Sequence, residues 1–169
     1  MLTELALPVR LDAPTGTLVL RNAADDDLDA LIALLSDDPI SAARGDLSAP
    51  EDHPRYAAAL RGVVDDPSNA LLVAEDASGS VVGTLQLTRI PGMARRGATR
   101  LLVEAVRVSS TRRSGGVGTA LMRWVTDEAA PALGASLVQL TSDAARTDAH
   151  RFYERLGFVG SHVGFKYAR

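Results

Sequence analysis

Residues 106–119 read VRVSSTRRSGGVGT. A strand-like apolar run enters a turn rich in arginine and glycine, and an amphipathic helix follows directly. Backbone N–H groups at the start of a helix lack acceptors and carry partial positive charge, while glycine lets the backbone approach a ligand. Strand, glycine turn and helix in this order indicate an anion site that suits a pyrophosphate. The alternative is a glycine-rich loop that only caps the helix.

Two other nucleotide-binding turns do not fit this stretch. A P-loop requires Gly-Lys followed by Ser or Thr, whereas the only lysine of the chain is Lys166. A dinucleotide fingerprint requires G-x-G-x-x-G after the first strand of a βαβ unit. The glycines here are Gly115, Gly116 and Gly118, and they follow two strands joined by a hairpin.

Hydrophobic periodicity on both sides of the turn predicts one domain over residues 17–169, with residues 1–16 as a loose leader. Hairpins are mixed with crossovers, so we expect the α/β (α+β) class with a single mixed, mostly antiparallel sheet flanked by helices. Strands are predicted at 17–21, 71–75, 81–90, 99–108 and 136–141 and as a final pair within 158–167, and helices at 28–35, 56–64, 117–130 and 144–156.

The composition is that of an ordinary globular chain, with 169 residues, 46% hydrophobic and 23% charged. No segment is long and apolar enough to span a membrane, and the N-terminus lacks signal-peptide features. Cysteine is absent, which excludes disulfides, thiolate zinc sites and thiol nucleophiles. The histidines, His53, His150 and His162, are scattered, so no metal is expected. A cytoplasmic protein without a membrane partner is the resulting prediction.

The net charge of -3 conceals an uneven distribution. Residues 21–76 carry 13 acids against 4 bases, and the rest of the chain is correspondingly basic. Such a division indicates a cationic partner for one part and an anionic partner for the other, unless the acids serve only as helix caps and solvated faces. The negative net charge and the few aromatic residues argue against a nucleic-acid partner.

A second motif lies in the last predicted helix and just beyond it, where residues 150–158 read HRFYERLGF. With this motif the chain resembles the GNAT family of N-acetyltransferases. Residues 113–118, RSGGVG, are similar to the family's acetyl-CoA motif Arg/Gln-x-x-Gly-x-Gly/Ala, and residues 152–158, FYERLGF, to its FYxxxGF motif. The resemblance runs from residue 17 to the C-terminus. It implies acetyl-CoA as the acyl donor and an amine as the acceptor.

In similar proteins two neighbouring central strands splay apart, and the pantetheine arm of the cofactor lies between them. The resemblance therefore implies backbone contacts from Val106 and Val108 to the pantetheine. The side chains of Val117 and Leu121 are expected to pack in the core. The pyrophosphate would sit on the turn itself, at Arg113, Ser114, Gly115, Gly116, Val117, Gly118 and Thr119.

The family mechanism is direct attack of the amine on the thioester, which suits a chain without cysteine. Tyr153 occupies the family's tyrosine position, and a tyrosine hydroxyl with a pKa of about 10 can donate a proton to the leaving sulfur. A purely structural tyrosine is the alternative. Phe152 and Phe158 are expected in the core. Arg146 stands where many relatives have asparagine, so the resemblance carries no cofactor contact to that position.

A carboxylate must take a proton from the amine, often through a water molecule. Glu104 is the first candidate because it interrupts an apolar strand and because several relatives carry a functional glutamate in this region. The two-residue period of a strand places it on the same face as Val106 and Val108. An ion pair with Arg100 is the alternative, and Asp143 is the second candidate base.

In this family the first helices, their connection and the late strands form most of the acceptor pocket. An acidic rim there would attract a cationic amine, so a small cationic molecule is the expected acceptor. Acetylation of a protein or peptide and a non-catalytic, regulatory acyl-CoA-binding domain are the alternatives. Many relatives dimerise, which makes a homodimer an expectation as well. The acids of this rim are Asp37, Asp38, Asp46, Glu51 and Asp52.

Overall fold

One six-stranded sheet organises the computed structural model, which describes residues 1–167. The strands lie side by side in chain order. All neighbours are antiparallel except the last two, which are parallel, so the predicted mixed, mostly antiparallel sheet is confirmed. The strands are β1 (Val9–Ala13), β2 (Gly16–Asn22), β3 (Asn69–Glu75), β4 (Val81–Ile90), β5 (Arg100–Val108) and β6 (Leu137–Leu140).

Helices cover both faces of the sheet. The longest, α3, ends at Val64 as predicted but begins at a proline-containing first turn, three residues before the predicted start at Tyr56. A π-helical stretch, Val125–Ala129, joins α5 to α6 without a break. The helices are α1 (Leu28–Ser36), α2 (Pro39–Ala42), α3 (His53–Val64), the short α4 (Ala94–Gly97), α5 (Val117–Trp124), α6 (Ala130–Ala132) and α7 (Thr147–Arg155). None of the described helices has the length and apolar character needed to cross a membrane.

The core is divided by the sheet into a large and a small cluster. The large one packs α5 against the sheet and includes Leu72, Leu85 and Leu121, all of which are fully buried. The small one lies on the opposite face, where Leu31 of α1 and Leu60 of α3 contact the sheet. We refer below to the α5 face and the α1 face of the sheet.

Residues 1–16 are part of this core, contrary to the expectation of a loose leader. Val9–Ala13 form β1, which pairs with β2 along its whole length. Leu2, Leu5 and Leu11 are each less than a tenth exposed and join the large cluster. The alternation in VRLDA is a strand pattern, but it spans only five residues, so the periodicity signal is weak.

The final strand pair predicted within residues 158–167 is wrong. These residues form no strand, and Val163, Phe165 and Tyr167 are exposed although they alternate as strand residues do. Gly160 and Gly164 interrupt the segment, and glycine weakens a strand because it loses more backbone entropy and offers no side chain to pack.

Candidate active site

A β-bulge in β5 determines which side chains face which helix layer. Opposite Leu85 of β4, β5 carries two residues, Ala105 and Val106, and Ala105 has a left-handed φ of 50°. Leu101 and Val103, before the bulge, belong to the cluster on the α5 face. After one inserted residue the alternation is reversed, and it is now Val106 that packs against the same cluster.

The bulge corrects the predicted position of Glu104. Glu104 alternates with Leu101 and Val103 and is exposed, so it lies on the α1 face, whereas Val106 and Val108 lie on the α5 face. The simple two-residue period placed all three on one face and was wrong for this reason. Arg107 is the residue after the bulge that shares the α1 face with Glu104.

Half of β5 is unpaired on the side of β6. The parallel ladder joins Arg100–Val103 to Leu137–Leu140 and goes no further. Beyond it, the carbonyl oxygens of Val106 and Val108 accept hydrogen bonds from the guanidinium groups of Arg107 (2.9 Å) and Arg113 (3.4 Å). This open edge is where the resemblance places the pantetheine, since an amide-containing chain can pair with a free strand edge.

The glycine turn ends in a helix start with free donors. Ala120 N–H makes the first intrahelical hydrogen bond, to Gly116 O at 2.9 Å. The N–H groups of Val117, Gly118 and Thr119 precede it and therefore have no intrahelical acceptor. Val117 itself is buried, as predicted, so its contribution to a ligand is its backbone. Ser114, in a left-handed conformation with φ 64°, is exposed at the turn.

Two of the turn's glycines also have a packing role that the sequence did not suggest. A Cβ atom added at Gly116 would lie 2.3 Å from Pro14 Cδ, and one at Gly115 would lie 2.9 Å from Thr15 Cγ2. Thr15 Oγ1 donates to Gly115 O at 3.0 Å. The β1–β2 turn thus rests directly on the glycine turn and requires the absence of side chains there.

The third glycine, Gly118, brings α5, α7 and the end of β5 together. A Cβ atom added at this position would be 3.4 Å from the ring of Phe152 and 3.7 Å from Val108 Cγ2. The helix that carries Tyr153 therefore contacts the start of α5 at the point where the open edge of β5 ends.

The arginines of the turn contact acidic and carbonyl groups of the protein. Arg113 Nη2 donates to Asp37 O at 3.0 Å, and Arg112 pairs with Asp76. The Asp37 carboxylate accepts from Ser110 N–H at 2.6 Å, and this hydrogen bond holds the pKa of Asp37 below its ordinary value. The C-terminal end of α1 is therefore tied to the glycine turn, and Arg113 is half exposed, within reach of a bound anion.

These features fit acetyl-CoA as a substrate. A pyrophosphate can accept from the free N–H groups at the start of α5 and pair with Arg113. A pantetheine amide can compete for the carbonyl groups of Val106 and Val108, which side chains hold in the free protein. Both groups of residues were predicted as cofactor contacts, and the start of α5 lies beside the end of β5, since a Cβ atom added at Gly118 would be 3.7 Å from Val108 Cγ2. We call this junction the groove.

Tyr153 lies beside this groove in an aromatic cluster. Its ring makes edge-to-face contacts with Phe152, at 5.1 Å between centroids, and with Phe158, at 5.8 Å. All three rings pack against the large core cluster, as expected for the two phenylalanines. Burial raises the pKa of the Tyr153 hydroxyl above its ordinary value, although the nearby charges of Arg107 and Arg146 oppose the rise. The hydroxyl therefore holds its proton at neutral pH.

Arg107 and Arg146 form a small cluster beside Tyr153, close enough for their charges to act on its hydroxyl. Arg146 makes a two-pronged ion pair with Asp38, which also caps α2 by accepting from Ser41 N–H at 2.7 Å. Burial acts to raise the pKa of Asp38, but these hydrogen bonds outweigh it and hold the pKa far below its ordinary value. Arg107 donates to Ser41 Oγ at 2.7 Å. Arg146 is thus committed to Asp38, consistent with the lack of a predicted cofactor contact.

The two candidate bases differ in their surroundings. Asp143 forms an ion pair with Arg44 and accepts from Ala145 N–H at 2.8 Å, so it is a structural group of the loop before α7. His150 binds the Asp143 carbonyl oxygen at 2.8 Å and stabilises the same loop. Glu104 is exposed on the α1 face. The alternative of an ion pair with Arg100 is not observed, because Arg100 donates to Gln139 instead.

Comparison with known proteins identifies the fold that carries this groove. The sequence profile described as "Acetyltransferase (GNAT) family" matches residues 28–158, which include the bulge, the glycine turn and α7. The chain belongs to the GNAT family. GNAT enzymes use acetyl-CoA as the acyl donor, in agreement with the groove described above.

Solved structures support the assignment to GNAT. A crystal structure described as a transcriptional regulator from Bacillus halodurans is 35% identical, with a TM-score of 0.84 over 90% of this chain and 99% of that one. A candidate acetyltransferase from Agrobacterium tumefaciens is 27% identical, with a TM-score of 0.72 over 89% of this chain and 99% of that one.

A curated GNAT relative matches over a shorter length. The aminoalkylphosphonate N-acetyltransferase of Salmonella typhimurium is 45% identical over 49 residues, which are 29% of this chain and 31% of the relative. The match thus spans about a third of that protein.

Proposed function

We propose that this GNAT protein transfers an acetyl group from acetyl-CoA to a primary amine of a small molecule. One observation supports the proposal: the start of α5, whose first N–H groups have no intrahelical acceptor, lies against the end of the open edge of β5 and against α7, the helix that carries Tyr153. A groove of this kind holds the two ends of a long thioester substrate and places a proton donor near its reacting end. The name of the Salmonella typhimurium relative supports a small-molecule acceptor over a protein.

Two side chains would move the protons of the reaction. The amine attacks the thioester carbonyl, the C–S bond breaks, and the departing sulfur takes the proton of the Tyr153 hydroxyl. Glu104, directly or through a water molecule, takes a proton from the amine. Its position on the α1 face supports this role, because α1, α2 and α3 border the region through which an acceptor would approach.

The structure of the acidic rim gives less support to a cationic acceptor than the sequence did. Four of its five acids are engaged within the protein: Asp37 with Ser110, Asp38 with Arg146, Asp46 with the Tyr56 hydroxyl and Asp52 with Arg55. A net cationic acceptor is therefore not required by this surface. The proposed acceptor is therefore a small amine of unspecified charge. We further propose that the enzyme is cytoplasmic and forms a homodimer.

A non-catalytic, acyl-CoA-binding regulatory domain is the second candidate. The observation in its favour is the description of the 35% identical Bacillus halodurans structure as a transcriptional regulator. Such a domain would bind acetyl-CoA through the same groove without consuming it. The two candidates therefore agree on binding and differ on turnover.

Calorimetric titration with acetyl-CoA is the first test. We expect stoichiometric binding that Arg113→Glu weakens about 10-fold or more, because a carboxylate would then face the pyrophosphate. Arg123→Glu, at an exposed position further along α5, is the matched control and should bind normally. Absence of binding by the folded wild-type protein would contradict both candidates.

Measurement of turnover distinguishes the acetyltransferase from the non-catalytic acyl-CoA-binding domain. An amine screen that releases free CoA, with Tyr153→Phe as the comparison, should show acetylation by the wild-type protein. Binding of acetyl-CoA without consumption of any amine would instead favour the regulatory domain.

A further inference from the structure

Arg107 is a guanidinium group without a matching acid. Its Nη atoms donate to two neutral oxygens, Ser41 Oγ at 2.7 Å and Val106 O at 2.9 Å. Its Nε is buried and has no hydrogen-bond partner within residues 1–167. In that same part of the chain no carboxylate lies within ion-pair distance of it. A half-buried charge in such a setting is costly unless a ligand compensates it.

The neighbours of Arg107 do not supply that compensation. Asp38 is committed to Arg146 by two hydrogen bonds, and Asp46 accepts from the Tyr56 hydroxyl at 3.3 Å. Burial lowers the pKa of Arg107, the positive charge of Arg146 lowers it further, and the two aspartates offset this only in part. The cluster around Tyr153 is therefore short of negative charge on the α1 face.

Arg107 lies away from the donors that are proposed to bind the cofactor's phosphates. The donors suited to the pyrophosphate are at the start of α5, and Val106 and Val108 turn toward the α5 face. The bulge turns Arg107 to the opposite face, toward α2 and the Tyr153 hydroxyl. An anion bound there would belong to the molecule that approaches the reacting end from the α1 side.

We propose that Arg107 binds an anionic group of the amine acceptor, a carboxylate or phosphoryl group on the same small molecule. The inference rests on the proposed acetyltransferase function and adds the acceptor's class to it. Guanidinium donors form a planar fork that matches both anions. Nε, which lacks a partner, and the Nη that now serves Val106 O are the donors that such a group would engage.

Three amines of equal length test this assignment: 3-aminopropanoate, 2-aminoethylphosphonate and propylamine. We expect wild-type kcat/KM to favour the two anionic amines. Arg107→Gln should lower the ratio of anionic to neutral kcat/KM about 10- to 100-fold, the range for loss of a hydrogen bond to a charged group. Arg107→Lys should give a ratio between those of the wild type and Arg107→Gln, because lysine keeps the positive charge but lacks the planar fork of donors. The better of the two anionic amines identifies the anion.

Arg100→Gln is the matched control, since Arg100 lies on the same strand outside the cluster and should leave the ratio unchanged. Thermal unfolding and acetyl-CoA affinity of each variant show that the fold and the cofactor groove are intact. Equal kcat/KM for all three amines in the wild type would overturn the inference. So would an equal loss for all three in Arg107→Gln, which would assign Arg107 to the reaction step.

Failure of the proposed function is distinguishable from failure of this inference. If acetyl-CoA binds but no amine is acetylated, calorimetric titration of the anionic amines into CoA-saturated protein decides the point. Binding that Arg107→Gln abolishes supports the anion site, and no binding by the wild type refutes it.

Discussion

Tyr153 combines two opposing influences in one side chain. Burial disfavours its charged phenolate form, while two guanidinium groups favour it, and burial prevails. A raised pKa keeps the hydroxyl protonated throughout the neutral range, so loss of the donor through ionisation begins at a higher pH than for an exposed tyrosine. The same positive charges would stabilise the phenolate that forms once the proton has moved to sulfur.

Removal of this hydroxyl tests the role. Tyr153→Phe should lower kcat about 10²- to 10⁴-fold, the usual contribution of a general acid, while the calorimetric Kd for acetyl-CoA stays near that of the wild type. A kcat–pH profile of the wild type should show no decline from tyrosine ionisation in the neutral range. An unchanged kcat in Tyr153→Phe would leave the residue with the structural role weighed in the sequence analysis.

Kinetics at one neutral pH distinguish the two carboxylates. Glu104→Gln should lower kcat/KM about 10²- to 10⁴-fold, because the group that accepts the amine proton is gone. Asp143→Asn, which disturbs the ion pair with Arg44 and the hydrogen bond from Ala145, should stay near the wild-type kcat/KM. The reverse pattern would transfer the role to Asp143.

Among the secondary-structure elements, the bulge in β5 has the largest effect on the site, because it sets the faces on which Val106 and Arg107 lie. Ala105 adopts φ 50°, a region that L-residues enter at a cost and β-branched residues resist most. Ala105→Val should therefore destabilise the protein by about 1–3 kcal/mol. It should also weaken acetyl-CoA binding, because the bulge sets which face of the sheet Val106 and Arg107 occupy. Urea unfolding with Leu102→Val as the same-strand control measures this, and equal midpoints for both variants would contradict it.

Elements with strong local patterns were predictable, and the bulge was not. The strand at residues 81–90 and the helix start after the glycine turn are encoded in neighbouring residues, and both were confirmed. The period-2 rule gives no indication of where an extra residue enters a strand, so Glu104 was placed on the wrong face. The Arg146–Asp38 pair joins residues 108 positions apart, a contact that only the folded topology brings about.

At the scale of the whole molecule, the N-terminal segment belongs to the folding unit. Leu11→Ala should cost about 2–5 kcal/mol, because it leaves a cavity in the large cluster. That is a large share of the roughly 5–15 kcal/mol by which a domain is stable. Arg10→Ala, one residue away and exposed, is the matched control in urea unfolding. Equal stability of the two variants would restore the idea of a dispensable leader.

The contact between the β1–β2 turn and the glycine turn couples the stability of β1 to ligand binding. Pro14 and Thr15 pack on Gly115 and Gly116, directly before the N–H groups of α5 that are proposed to bind the pyrophosphate. A ligand at those N–H groups is expected to stabilise the contact between the two turns. By thermodynamic reciprocity, a substitution that loosens β1 should then weaken acetyl-CoA binding. The edge strand would thus contribute to affinity without contacting the ligand.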